Sequence, residues 1–194
     1  MTRTLTRLAA IAALILLATP AFAHTGLHGS GLAAGFAHPF SGLDHLLAMA
    51  GIGVWAAQLG GRNLWLVPIA FVGMMLLGAL LALIAVPLPQ VELGIAGSVL
   101  AVGLLVGFGA RLPSAAAAAL AALMALCHGH AHGSEIPAMM SAWGYGAGFV
   151  LATGLLHVAG LGIGLLSFRY ARPALLTFAG LGTALVGGAL VAGF

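Results

Sequence analysis

Apolar residues fill this chain in stretches of about twenty, and short polar or proline-containing segments separate the stretches. An apolar helix of about 20 residues is long enough to cross the hydrocarbon core of a bilayer. We therefore expect an all-α integral membrane protein, built as a compact bundle of six transmembrane helices. Division at the Pro, Arg and other polar positions predicts spans near residues 39–60, 63–86, 90–110, 113–133, 138–166 and 172–194.

The beginning of the chain has the pattern of a secretory signal. Two arginines precede an apolar run at residues 8–18, and the Ala-Phe-Ala sequence at residues 21–23, with its small residues Ala21 and Ala23, offers a cleavage site. An uncleaved anchor helix is the alternative. In both cases His24 lies on the far side of the membrane, so the predicted topology does not depend on cleavage. We expect residues 1–23 to be a cleavable signal peptide and residues 24–194 to form a single six-helix transmembrane domain.

The composition supports this assignment and gives an orientation. Hydrophobic residues make up 62% of the chain and charged residues 5%, whereas a soluble domain carries about 25% charged residues. The formal charge of +3 rests on six arginines, which are too few for a nucleic-acid surface. The loops that hold Arg62, Arg111 and the Arg169/Arg172 pair all fall on one side of the predicted bundle. The positive-inside rule makes that side cytoplasmic and the mature N-terminus periplasmic, in a bacterial inner membrane.

Ionisable side chains are costly inside a membrane, so their positions in so apolar a chain point to function. The single cysteine, Cys127, excludes an intramolecular disulfide and a multi-cysteine metal site. Most of the ionisable candidates fall in two short segments toward the predicted periplasmic face. They are His38, Asp44, His45, His128, His130, His132 and Glu135, with His157 apart from them.

The first segment runs from His38 to His45. Pro39 suits the first turn of a helix, which would leave His38 at the mouth of the first span. On a continuing helix His38 and His45 share a face, and Asp44 lies about 100° around from His45. Asp44 could ligate a metal directly, or accept the spare N–H of a histidine and fix its tautomer. A helix cap beside an interfacial histidine is the alternative, but it explains one polar group of three.

The second segment runs from His128 to Glu135. On a helix His128 and His132 are four residues apart and Glu135 follows three later, so one face carries all three side chains. Two imidazoles and a carboxylate suit Ni²⁺, Co²⁺ or Zn²⁺. His130 is rotated by about 200° and is either a channel-side relay or an interfacial histidine. A histidine-rich surface loop is the alternative for the whole segment.

Three more histidines are secondary candidates for the metal or its pathway. His24 and His28 would begin the mature chain, where they could capture metal or merely lie in a flexible terminus. His157 lies 14 residues past Trp143, about 21 Å further along a helix. If Trp143 and Tyr145 mark the outer aromatic belt, His157 is too deep for the outer cluster. It is either a second station on a pathway or a histidine bonded to a neighbouring backbone.

The histidine segments resemble those of the HupE/UreJ family of nickel and cobalt permeases. The chain has the pattern H-x5-D-H in the first predicted span and, apart from its first residue, F-H-G-x-A-H-G-x-E in the fourth. Cys127 stands where the family has Phe, and His130 fills a variable position. The length, the signal and the six spans also fit. The resemblance implies that six side chains recognise and pass the metal: His38, Asp44, His45, His128, His132 and Glu135.

From this resemblance we expect uptake of Ni²⁺, with Co²⁺ or Zn²⁺ as alternatives, through a His/Asp/Glu site formed by the first and fourth mature helices. Cytoplasmic hydrogenase or urease maturation proteins are the expected partners. The sequence contains no phosphate-binding loop pattern, but a divalent ion moving inward gains about 4.6 kcal/mol per 100 mV. The rival hypothesis is a ceramidase-like intramembrane hydrolase, in which the same ligands activate a metal-bound water. The oligomeric state is left open.

Overall fold

The computed structural model describes residues 31–137, 139–170 and 172–194. The predicted signal peptide, together with His24 and His28, lies outside these described residues. Within the described ranges every regular element is helical and no strand occurs. The α-helices of these ranges are α1 (Gly31–Ala37), α2 (Leu43–Leu59), α3 (Asn63–Leu83), α4 (Val91–Gly107), α5 (Ser114–Ser134), α6 (Ala142–Arg169) and α7 (Pro173–Val191).

Four of the helices in the described part of the chain are long and apolar enough to cross a membrane, namely α3, α5, α6 and α7. A fifth span results if α1 and α2 are counted as one broken span, although they are bent by 81° relative to each other. The apolar helix α4 is shorter, with 17 residues. The protein is therefore an all-α, multi-pass membrane protein, and the described residues provide four to five of the six spans predicted.

The first predicted span is interrupted where a continuous helix was expected. After α1, residues His38–Phe40 form a 3-10 turn, and Gly42 is extended (φ −110°, ψ 126°) before α2 begins. Pro39 cannot donate a backbone hydrogen bond and Gly42 is a poor helix former, so both residues favour a break. His38 and His45 consequently lie on separate helical elements, and the expectation that they share one helix face is wrong.

Glycines let the helices come into backbone contact. A side chain on Gly129 or Gly133 of α5 would meet the main chain of α3, and one on Gly160 of α6 would meet the main chain of α2. Small residues at such positions permit close packing where lipid removes most of the hydrophobic driving force. These contacts draw α2, α3, α5 and α6 around one core, whose buried side chains include Met49, Trp55, Phe71, Met75 and Phe149.

Candidate metal centre

The candidate site lies where the break between α1 and α2 faces the end of α5. The break supplies His38 from the 3-10 turn and His45 from the first turns of α2. The last turns of α5 supply His128 and His132, and Glu135 directly follows that helix. Segments nearly a hundred residues apart in the sequence therefore meet, as the interpretation of two cooperating histidine segments requires.

His38, His132 and Glu135 form a group that we term the outer triad. One donor atom from each residue lies within 4.8 Å of the donor atoms of the others. The Glu135 Oε2 atom is 3.3 Å from His38 Nε2 and 3.6 Å from His132 Nδ1. The side chains of Glu135 and His38 are 52% and 31% exposed. This triad therefore combines a carboxylate with two imidazoles at the accessible end of the site.

His45, His128 and His132 form a deeper group, which we term the inner triad. Its donor atoms also lie within 4.8 Å of one another. Three nitrogens 4.8 Å apart lie about 2.8 Å from their common centre, and an imidazole nitrogen binds a metal ion at about 2.1 Å. Ligation would therefore need movements of less than about 1 Å. His128 and His132 are almost completely buried, and His132 belongs to both triads.

The imidazoles of the inner triad keep buried nitrogens without hydrogen bonds. Among the described residues, His45 Nε2, His128 Nδ1 and both ring nitrogens of His132 have no hydrogen-bond partner. A buried polar atom left unsatisfied costs about 1–3 kcal/mol, so such atoms are uncommon and call for an explanation. A neutral imidazole nitrogen with a free lone pair is a metal ligand, and the convergence of these nitrogens suits one ion.

Asp44 lies behind His45. The ring N–H at His45 Nδ1 donates to Asp44 Oδ1 across 2.7 Å, and the backbone N–H of His45 donates to the same oxygen across 2.8 Å. These bonds fix the tautomer of His45 and leave its Nε2 atom as an acceptor facing the inner triad. Of the two roles considered for Asp44, this geometry matches the orienting role.

Ser98 of α4 fixes the tautomer of His128 in the same way. The Ser98 hydroxyl donates to the carbonyl of Ile95 across 2.7 Å, and its oxygen lies 2.8 Å from His128 Nε2. Because a hydroxyl has one hydrogen, which is used on Ile95, the His128 Nε2–H must be the donor to Ser98. The lone pair of His128 is thereby left on Nδ1, the atom without a partner in the described structure.

The remaining histidines lie apart from the triads. His130 Nε2 is 2.9 Å from the carbonyl oxygen of Val86 in the α3–α4 connection, so it faces away from the site as its rotation predicted. His157 lies deeper in the bundle, and the Phe71 ring separates it from His128: the ring centroid of Phe71 is 5.2 Å from that of His157 and 5.8 Å from that of His128.

Sequence reasoning missed the aromatic wall of the site. The Phe149 ring centroid lies 4.1 Å from that of His132, and the Tyr145 ring centroid lies 5.8 Å from that of His38. Tyr145 is 4% exposed, whereas Trp143 is 91% exposed, so the placement of Tyr145 in an outer aromatic belt is wrong. The four-residue spacing of Tyr145 and Phe149 was the available signal for an inward face. Ser98 had no such signal, because its partner is 30 residues away.

The arrangement is suited to a borderline divalent ion. Neutral imidazoles and a single carboxylate favour nickel, cobalt or zinc, whereas Mg²⁺ and Ca²⁺ favour sites made of oxygen ligands. The exposed carboxylate can attract the hydrated ion, and the buried imidazoles can replace its water ligands. The aromatic rings of Phe71 and Phe149 lie against His128 and His132 of the inner triad.

The chain resembles known proteins over most of its length. The family model described as HupE / UreJ protein matches residues 12–190. The chain is 48% identical over 188 residues to Protein HupE of Rhizobium leguminosarum bv. viciae, an alignment that covers 97% of this chain and 96% of that relative. No solved structure is significantly similar to the chain.

Proposed function

The chain belongs to the HupE/UreJ family, and from that premise we propose that it takes up Ni²⁺, with Co²⁺ as the alternative cargo, across the bacterial inner membrane. The family is one of metal transporters, associated with nickel and cobalt uptake for hydrogenase and urease. Delivery to cytoplasmic maturation proteins of hydrogenase or urease is the corresponding proposal for its partners.

One observation carries this proposal: the two triads share His132 and lead from an exposed carboxylate to a buried group of imidazoles. Glu135 and His38 would meet the hydrated ion first. Because His132 belongs to both triads, rotation of one ring would transfer the ion to His45 and His128 without releasing it into the bilayer. Asp44 and Ser98 would hold the receiving imidazoles in the tautomers that ligation requires.

The proposed topology follows from the position of this site in the bundle. The triads lie at the first turns of α2 and the last turns of α5, while Arg62, Arg111 and Arg172 lie in connections at the opposite ends of the helices. With those arginines cytoplasmic, the site faces the periplasm. We propose six spans, with the bent α1–α2 pair and α4 each crossing the membrane, after a cleavable signal peptide at residues 1–23.

The test is uptake of radioactive nickel by reconstituted vesicles with an imposed potential, negative inside. His132→Ala removes the ligand common to both triads, so uptake should fall by more than about tenfold. His130→Ala is the matched control, because this neighbouring histidine of the same helix faces Val86, and it should keep most of the uptake. Undiminished uptake by His132→Ala would overturn the proposal.

The hydrolase alternative uses the same ligands but predicts a different product. The family relationship does not favour it. When zinc- or nickel-loaded protein is incubated with a fluorescent ceramide, it should release no more fatty acid than the His132→Ala variant does. Release of fatty acid that depends on His132 would support the hydrolase hypothesis.

A further inference from the structure

A second set of buried donor atoms lies deeper than the inner triad. His157 of α6 is 2% exposed, and its Nε2 atom has no hydrogen-bond partner among residues 31–137, 139–170 and 172–194. Thr153 lies one turn earlier on the same helix face and is fully buried. The triads do not use either side chain. An unpaired imidazole nitrogen in the centre of an apolar bundle is costly unless it meets a partner at some stage of function.

Two thioether sulfurs from different helices converge beside Thr153. The Thr153 Oγ1 atom lies 3.4 Å from Met49 Sδ of α2 and 3.9 Å from Met75 Sδ of α3. Both methionines are almost completely buried. Methionine often fills irregular gaps in cores, but gap filling alone gives no reason for two sulfurs to meet at one hydroxyl, one helical turn from an unpaired histidine.

The Met75 backbone is level with the inner triad, because it packs against Gly129, and the other groups lie directly beyond the triad. Met49 is one helical turn deeper than His45 on α2, and Thr153 is one turn deeper than Phe149 on α6. Phe71 is one turn from Met75 on α3, and its ring contacts both His128 and His157. α2 and α6 are in backbone contact at this depth, where a side chain on Gly53 would meet the main chain of His157.

We propose that His157, Met49 and Met75 form a second metal station, which receives the ion from the inner triad. This inference rests on the proposed function, because it concerns the same cargo and route. Imidazole suits the borderline ion Ni²⁺, thioether sulfur is a softer and weaker ligand for it, and neither ligand type suits the hard ions Mg²⁺ and Ca²⁺. All three ligands are neutral, so the station holds a divalent ion more weakly than the outer triad with its carboxylate. Weak binding at successive sites is what passage requires, since the ion must also leave.

Nickel uptake and nickel binding, measured separately, test this station. His157→Phe keeps an aromatic ring against Phe71 but removes the ligand, so uptake into vesicles should fall about tenfold, while the purified protein still binds Ni²⁺ at the triads. The double variant Met49→Leu/Met75→Leu removes both sulfurs and nearly preserves the packing volume, and its uptake should also fall. Met74→Leu is the matched control, because it changes the adjacent methionine, and it should leave uptake unchanged.

Nickel-edge X-ray absorption gives a readout that packing alone would not alter. Protein saturated with Ni²⁺ should show a sulfur scatterer that disappears in Met49→Leu/Met75→Leu and persists in Met74→Leu. If the wild type takes up nickel and both His157→Phe and Met49→Leu/Met75→Leu take it up equally well, the station is overturned and the proposed function stands. Bound nickel without a sulfur ligand would have the same meaning. A wild-type protein that takes up no nickel would overturn both proposals.

Discussion

At the scale of single residues, the candidate metal centre includes side chains that orient the proposed ligands without being ligands themselves. Asp44 and Ser98 each accept one imidazole N–H and so leave the opposite nitrogen free to ligate. Without them, each neutral imidazole could turn its protonated nitrogen toward the site, which would then repel the ion.

Ser98→Ala should weaken nickel binding by about tenfold although every ligand remains, because loss of an outer hydrogen-bond partner typically costs 10–100-fold in metal affinity. Ser98→Thr keeps the hydroxyl and should retain most of the affinity. Isothermal titration of the purified protein measures the difference. Equal affinity in Ser98→Ala and the wild type would remove Ser98 from the site.

Two substitutions of Asp44 can distinguish whether this residue orients His45 or ligates the metal itself. Asp44→Asn keeps a side-chain oxygen that can accept from His45 Nδ1, whereas Asp44→Ala keeps none. If Asp44 orients His45, nickel uptake should be reduced moderately in Asp44→Asn and much more in Asp44→Ala. Equal and complete loss in both variants would instead assign the carboxylate charge itself to the metal.

At the scale of the helical elements, the break between α1 and α2 is the feature that brings the first histidine segment to the second. It turns the chain by 81°, so His38 reaches the outer triad while His45 lies in the inner one. Gly42 is the last residue of this break, directly before α2, and a side chain there would meet those of Asp44 and His45.

Gly42→Ala should therefore displace the Asp44–His45 pair and lower nickel affinity, with little change in the unfolding temperature. Gly73→Ala on α3 is the control, since its added methyl group would meet nothing within 4 Å apart from its chain neighbours and the nearby backbone of its own helix. Nickel titration and thermal unfolding of both variants provide the comparison. A Gly42→Ala protein with wild-type affinity would show that the break tolerates a side chain.

The sequence predicted the helices well and their faces poorly. Residues 63–86 and 113–133 were expected to be helical, and the helices are Asn63–Leu83 and Ser114–Ser134. The common face of His128 and His132 was predictable because it depends on local spacing. In a bilayer, however, core-facing and lipid-facing side chains are both apolar, so hydrophobic periodicity cannot separate buried Phe71 from Ile69, which is 61% exposed.

The meeting of the two histidine segments was expected from the sequence, but another contact of the site between distant residues was not. The pairing of Ser98 with His128 depends on how the helices are arranged, which local patterns do not encode. The break at Gly42 had local signals in Pro39 and Gly42 itself, but these signals also occur at ordinary helix starts.

At the scale of the whole molecule, the orientation of the bundle can be tested by labelling. In a Cys127→Ser background, Met139→Cys in the α5–α6 connection and Phe108→Cys at the end of α4 introduce one accessible thiol each; the native side chains are 91% and 75% exposed. A membrane-impermeant maleimide should label residue 139 in intact spheroplasts and residue 108 only in inverted vesicles. The reverse pattern would place the triads on the cytoplasmic side.

Sharing one imidazole between the two triads has a kinetic consequence. The His132 ring cannot complete the coordination of ions at both triads at once. On the proposed route the two triads therefore hold a single ion, and the outer triad binds the next ion only after the first has moved inward. Initial rates should then follow a simple hyperbola in external nickel with a Hill coefficient of about 1, and competing cobalt should raise the half-saturating nickel concentration without lowering the maximal rate.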